Sequence, residues 1–235
     1  MRINDNHWLK NTPIAHRGLW GEDIKENSIT AYKNAVQNGF AIEVDLYAST
    51  DGELFCFHDV SLERMTGEEG YIFDKDSAFI KSLFLKDSKE RIPTFRDLLF
   101  IVNGKVPILI EIKDQPDKQI VERVLCELDE YQGEFAIQSF NPFHIIKVKK
   151  IAPYVIRGIL STKRLNFLPP IKRFIVKNMA LNFLAKPDFI SYDIQSFPIK
   201  KSKIKNKTVL AWTIDDEQKL GKAKTLADNV IFELI

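Results

Sequence analysis

The chain has 235 residues, 45% hydrophobic and 28% charged, the composition of a globular protein and close to the ~250 residues of one (β/α)8 barrel. No apolar run reaches the roughly 18 residues of a membrane-spanning helix, and no signal-peptide pattern opens the chain. Two cysteines, Cys56 and Cys126, cannot build a disulfide framework, so a reducing cytoplasm is expected and disorder, coiled coil and disulfide scaffold are excluded. The net charge of +2 hides an asymmetry: residues 1–134 carry 16 Lys/Arg against 25 Asp/Glu, residues 135–235 carry 18 against 7, and no acidic residue lies between Phe135 and Pro187. Such a basic half would attract an anionic membrane surface or polymer, or it simply solubilises outer helices.

In chain order, short apolar runs predict strands at 13–15, 40–46, 54–57, 106–112, 135–138, 154–160, 189–192, 208–212 and 230–232. Helical patterns fall between many of them. Ser28 is placed to cap a helix that Gly39 ends, and Ile92-Pro93-Thr94 opens another carrying Phe95, Leu98, Leu99 and Val102. Asp117 is expected to cap a helix with Ile120, Val121, Val124, Leu125 and Leu128 on one face, and Asn141-Pro142 reads as a cap followed by proline at the first helical position.

Strand alternating with helix means βαβ units and a parallel sheet. One run must differ, because Asp51-Gly52 leaves room only for a hairpin between 40–46 and 54–57, whereas a parallel crossover needs a dozen residues or more. Eight parallel strands remain, and the predicted fold is an α/β (βα)8 TIM barrel forming one domain over 1–235. Residues 59–91, charged and weakly periodic, read as a small insertion. Residues 165–184 mix apolar and basic side chains around the break at Pro169-Pro170; there Phe167, Phe174 and Phe183 either join a core or touch lipid.

The chemistry gathers at strand ends. With Asp51-Gly52 as a two-residue loop, Asp45 is expected to face His58, and Glu43, two residues earlier, points to the same side. Glu111 and Lys113 repeat that spacing after Val106–Ile110, on a strand covered on both faces where charges need partners. His16 and Arg17 follow the first strand. Three carboxylates, Glu43, Asp45 and Glu111, around one point would repel unless a divalent cation joined them. An all-oxygen set favours Mg2+ or Ca2+ over zinc. The blander reading of any one of these is a charged strand end in solvent. His144 reads as a packing or surface histidine, and His7 has no evident partner.

The order His16-Arg17-Gly18, Glu26-Asn27-Ser28, Glu43-Val44-Asp45, Thr50-Asp51-Gly52 and His58-Asp59 continues through Leu62-Glu63-Arg64-Met65-Thr66, Ile92-Pro93-Thr94, Ile110-Glu111-Ile112-Lys113, Gln138-Ser139-Phe140 and Trp212-Thr213. Nearly the whole chain thus resembles the glycerophosphodiester phosphodiesterase family, of the phospholipase C-like phosphodiesterase barrel type. The resemblance implies a divalent metal on Glu43, Asp45 and Glu111, and His16 and His58 as the acid/base pair. It implies Arg17 and Lys113 beside the phosphate and Trp212 walling the substrate pocket. The implied reaction is hydrolysis of a glycerophosphodiester to an alcohol and glycerol 3-phosphate. The basic stretch carries no recognisable nucleic-acid-binding motif, so no nucleic-acid role is expected.

Two positions depart from the family pattern. Ile214-Asp215 follows Trp212-Thr213 where Asn is common, and Phe232-Glu233 stands where Thr-Asp is usual. Both fall on the side where the alcohol would sit. Other readings are a lipid- or cell-surface-polymer-directed phosphodiesterase and a catalytically inactive binding module on the same barrel. A third is an unrelated barrel enzyme, which would need a Schiff-base lysine or a phosphate-binding glycine loop.

Overall fold

The computed structural model describes residues 2–165 and 169–233; Phe167 lies outside them. All nine predicted strands form. They are β1 (Ile14–Ala15), β2 (Ala41–Ala48), β3 (Leu54–Cys56), β4 (Ile108–Ile112), β5 (Phe135–Ser139), β6 (Arg157–Ser161), β7 (Phe189–Asp193), β8 (Thr208–Ile214) and β9 (Asn229–Phe232). The helices are α1 (Trp8–Asn11), α2 (Ile29–Gln37), α3 (Glu63–Thr66), α4 (Ser77–Ser82), α5 (Phe95–Val102), α6 (Ile120–Leu128), α7 (Pro142–Ile151), α8 (Pro170–Asn178), α9 (Asn182–Ala185), α10 (Lys201–Ile204) and α11 (Glu217–Leu226). The strand order is β1-β9-β8-β7-β6-β5-β4-β2-β3, and β1 also pairs with β2. Eight parallel strands therefore return to their start, the topology of a (βα)8 barrel, and β3 is the antiparallel arm of a hairpin.

The chain divides into two compact units, residues 17–134 and residues 1–16 with 135–235. In the first, local chemistry sets the helix starts. Ser28 Oγ accepts from Ala31 N–H at 3.1 Å. Thr94 and Asp97 form a reciprocal capping box at α5, which satisfies two otherwise orphaned donors. Gly18 has φ +83° and its absent Cβ would lie 2.9 Å from the Ala31 Cβ, so only glycine lets the loop lie against α2.

Asp117 does not cap α6 as expected. Gln119 holds the cap position without a side-chain bond. Asp117 instead accepts from Gln119 N–H at 2.8 Å and pairs with Arg123 at 2.9 Å, so it turns the chain two residues before the helix begins. Residues 59–91 hold α3, α4 and a short 3-10 turn. Leu62, Met65, Ile72, Ile80, Leu83 and Leu85 pack with Tyr47, Phe55 and Phe57 of the hairpin, giving the insertion a core of its own.

The hairpin register differs from the expectation. Leu46 faces Cys56, Tyr47 faces Phe55 and Ala48 faces Leu54, so Asp45 lies opposite Phe57 and not His58. The loop has three residues: Gly52 N–H donates to Ser49 O at 3.0 Å and Ser49 N–H to Glu53 O at 2.9 Å. A turn of this length ends on a left-handed residue, and Gly52 supplies it with φ +89°. One extra loop residue moves every pairing by one, so His58 reaches its place from the segment after β3.

In the second unit, Asn141 caps α7 and Pro142 opens it. Pro169-Pro170 does not simply break the 165–184 segment. It starts α8, where a missing N–H costs nothing. His7 is not idle: its Nδ1 accepts from Leu9 N–H at 3.1 Å and caps α1. His144 packs near Ser139 Oγ at 3.2 Å.

Candidate active site

The acid cluster is built by strand geometry. Glu43 and Asp45 are two apart on β2, so both project to one face. Parallel pairing of β2 with β4 sets Asp45 beside Glu111. The three carboxylates are buried, and one oxygen from each lies within 4.8 Å of the others. Around a hard cation with oxygen ligands at ~2.1–2.5 Å, ligand atoms stand no farther apart than about 4–5 Å. The donors and their spacing therefore fit a divalent cation.

The electrostatics point the same way. Burial, and then the charges of Asp45 and Glu111, hold the Glu43 carboxyl well above the usual carboxylate range. Burial also raises Glu111, against the pull of Lys113. So concentrated a set of acids needs a positive charge to be fully ionised.

Two cations of the chain supply part of it. Lys113 Nζ donates to Asp45 Oδ1 at 3.0 Å and pairs with Glu111 Oε1 at 2.9 Å. Burial alone would lower the Lys113 ammonium, but Asp45 and Glu111 hold it above its ordinary value. Arg17 Nε stands 3.4 Å from Asp45 Oδ2, and the peptide N–H joining His16 to Arg17 donates to Glu43 Oε2 at 3.1 Å. Arg17 adopts φ +59°, left-handed backbone that a non-glycine residue keeps only where its surroundings demand it. Here the Glu43 bond and the Asn27 N–H to Arg17 O bond at 2.9 Å hold it. Asn27 Nδ2 also donates to Asp45 Oδ2 at 3.3 Å, and Tyr32 OH to Asn27 Oδ1 at 3.0 Å.

Each predicted histidine has a carboxylate at Nδ1. His58 Nδ1 lies 2.7 Å from Asp59 Oδ1. Burial opposes ionisation of Asp59, but hydrogen bonds from His58 and Arg64 bring its carboxyl well below the ordinary range. An ionised carboxylate only accepts, so His58 Nδ1 carries the hydrogen of this bond. His16 follows β1, and its Nδ1 lies 2.8 Å from Glu233 Oε1 just past β9.

The family is decided by the chain as a whole. Residues 16–232 match the model of the glycerophosphoryl diester phosphodiesterase family.

The chain belongs to this family.

A glycerophosphodiester phosphodiesterase from Caldanaerobacter subterraneus is 34% identical over 166 residues, 65% of this chain and 67% of that protein. Glycerophosphodiester phosphodiesterase 1 of Bos taurus is 26% identical over 240 residues, covering 86% of this chain and 71% of the relative. An Oleispira antarctica phosphodiesterase, solved in complex with the product sn-glycerol-3-phosphate, superposes with a TM-score of 0.80 at 23% identity, over 96% of this chain and 93% of that one.

Trp212, near the end of β8, meets Phe140 edge to face, with centroids 5.7 Å apart and planes at 89°. Its indole nitrogen is buried and has no hydrogen-bond partner among the described residues.

In this glycerophosphodiester phosphodiesterase family member, Asp59, Arg64 and Glu26 extend the site outward from the acid cluster. Arg64 donates to Glu26 at 2.6 Å and 3.2 Å and to Asp59, and Glu26 in turn accepts from Arg17 at 2.9 Å. A ladder of alternating charge thus runs from His58 through Asp59, Arg64, Glu26 and Arg17 to Asp45. Glu26 is buried, and an acid folded inside needs a cation beside it. Glu233 was noted only as a departure from the family pattern; its acidic side chain at a strand end was the one hint of a histidine partner.

Proposed function

We propose that this protein hydrolyses glycerophosphodiesters to an alcohol and glycerol 3-phosphate, with Mg2+ or Ca2+ held by Glu43, Asp45 and Glu111. The observation that carries the reading is the trio of buried carboxylate oxygens within 4.8 Å of one another, beside Arg17 and Lys113, in a chain of this family. The product complex of the Oleispira antarctica relative supports the substrate class. We read residues 1–235 as one catalytic domain, in keeping with the family match over 16–232.

A divalent cation held by Glu43, Asp45 and Glu111 would supply a Lewis acid to offset the negative charge that develops on the phosphate. Arg17 offers a planar pair of donors to the phosphate, and Lys113 adds a point charge. His16 and His58, each with Nδ1 braced by a carboxylate, remove a proton from the attacking hydroxyl and deliver one to the leaving alcohol oxygen. The family resemblance implies that the substrate's own neighbouring hydroxyl attacks first, expelling the alcohol and giving a cyclic phosphate that water then opens. Trp212 and Phe140 form an apolar wall for the organic part. Retention of both histidines, all three acids, Arg17 and Lys113 speaks against an inactive binding module.

The test is product identity. Soluble glycerophosphodiesters, a lysophospholipid and a glycerol phosphate polymer are each incubated with EDTA-treated protein and with added Mg2+ or Ca2+. Glycerol 3-phosphate appearing from soluble diesters only after a cation is restored is the expected result. Release only from the lysophospholipid or the polymer would move the substrate to the surface-directed class, which the acid-free stretch 135–187 favours. Full turnover after exhaustive chelation would defeat the metal assignment.

A further inference from the structure

Helix α8 keeps apolar side chains in water that its own unit does not cover. Val176 and Met179 are buried. Ser161 Oγ, at the last residue of β6, donates to Val176 O at 2.9 Å, which pins the helix to the carboxyl end of that strand. Ile171 and Phe174 stand about 140–160° around the helix from Val176, and they are 77% and 63% exposed. Phe183 on α9, a few residues on, is 70% exposed.

The charge along this stretch of chain has one sign. Lys172, Lys177 and Lys186 are exposed, and no acidic residue occurs from Phe135 to Pro187. Arg173 shares the helix, and Lys203 Nζ donates to Lys177 O at 3.4 Å, bringing a further cation to its carboxyl end. Exposed Phe and Ile call for an apolar phase, while a field of lysines calls for anions. A soluble polyanion answers only the second demand. A bilayer carrying anionic headgroups answers both, since amphipathic helices with a basic border lie in the headgroup region with their apolar side chains below it.

We propose that the outer face of α8 is a docking surface for an anionic phospholipid bilayer. Ile171 and Phe174 enter the interface, and Lys172 and Lys177 meet the headgroups. The inference is independent of the catalytic reading, because none of these residues belongs to the acid cluster or the histidine pairs.

The experiment is co-sedimentation of the full chain with vesicles of phosphatidylcholine alone or mixed with phosphatidylglycerol, at low salt and at about 0.5 M salt, where the screening length falls to a few ångströms. Binding to the mixed vesicles at low salt, at least about tenfold weaker to pure phosphatidylcholine and at high salt, is the expected pattern. The pair Ile171→Asp and Phe174→Asp should weaken it by about tenfold or more, and so should Lys172→Glu with Lys177→Glu. Hydrolysis of a soluble diester should stay within about twofold in both. No binding to the mixed vesicles at low salt overturns the proposal. So does unchanged binding in either double variant; having two keeps the test decisive if one folds poorly. Inorganic polyphosphate bound as tightly as the vesicles, with no loss on replacing Ile171 and Phe174, would assign the surface to a polymer and also overturn it.

Discussion

Replacing Lys113 by Met isolates the charge balance of the acid cluster. The side chain is only 12% exposed and makes close pairs with Asp45 and Glu111 at 3.0 and 2.9 Å; Met keeps most of its length without the ammonium. Removing one partner of a buried ion pair costs about 3–5 kcal/mol. For a chain of this size each kcal/mol shifts the midpoint by about 2–4 °C, so thermal unfolding in EDTA should begin about 6–20 °C lower. A bound divalent cation restores the missing positive charge. Calorimetry with saturating Mg2+ or Ca2+ should therefore shrink the deficit to less than half, and the cation should raise the variant's midpoint more than the wild type's. A variant melting within about 2 °C of wild type in EDTA would refute the argument. An equal cation shift in both proteins would show that the acids do not share one ion.

Further outcomes follow from the same contacts. His16→Ala and His58→Ala should each reduce turnover of a soluble diester by about 10²-fold or more while leaving the circular dichroism spectrum unchanged; a variant keeping over half the rate would remove that histidine from the chemistry. Asp59→Asn should lower kcat by about 10²–10⁴-fold with little change in KM, because an amide no longer holds the proton on His58 Nδ1; a change confined to KM would show that Asp59 only shapes the pocket. Asp51 accepts from Ser49 Oγ, Ser77 Oγ and Ser77 N–H, and these bonds lower its carboxyl from 3.8 to about 2. Its contribution is present above the unfolded value and is lost as pH falls through about 2. The protection of the Glu53 and Ser77 amides, relative to their intrinsic exchange rates, should therefore fall on acidification from pH 4 to 2 in the wild type and not in Asp51→Asn, and an equal fall in both would contradict it.

Much of this protein is written in short stretches of its chain. Strands β2 and β4, the caps at Ser28, Thr94 and Asn141, and the shared face of Glu43 and Asp45 all follow from contacts within a few residues, where backbone geometry and side-chain periodicity act directly. The hairpin register did not follow so simply: whether the loop took two residues or three hung on the left-handed backbone at Gly52, and Asp45 came to face Phe57. Other features depend on pairings that no local rule sets. Glu111 reaches the cluster only through the alignment of β2 with β4. Arg64 meets Glu26 across 38 residues, and Glu233 meets His16 across 217. Asp117, an apparent cap, was diverted to Arg123. The types of residue that do the chemistry were decided by sequence, whereas their spacing, partners and charge states were decided by the packing of strands that lie far apart along the chain, because electrostatic energy depends on distance in space and on burial.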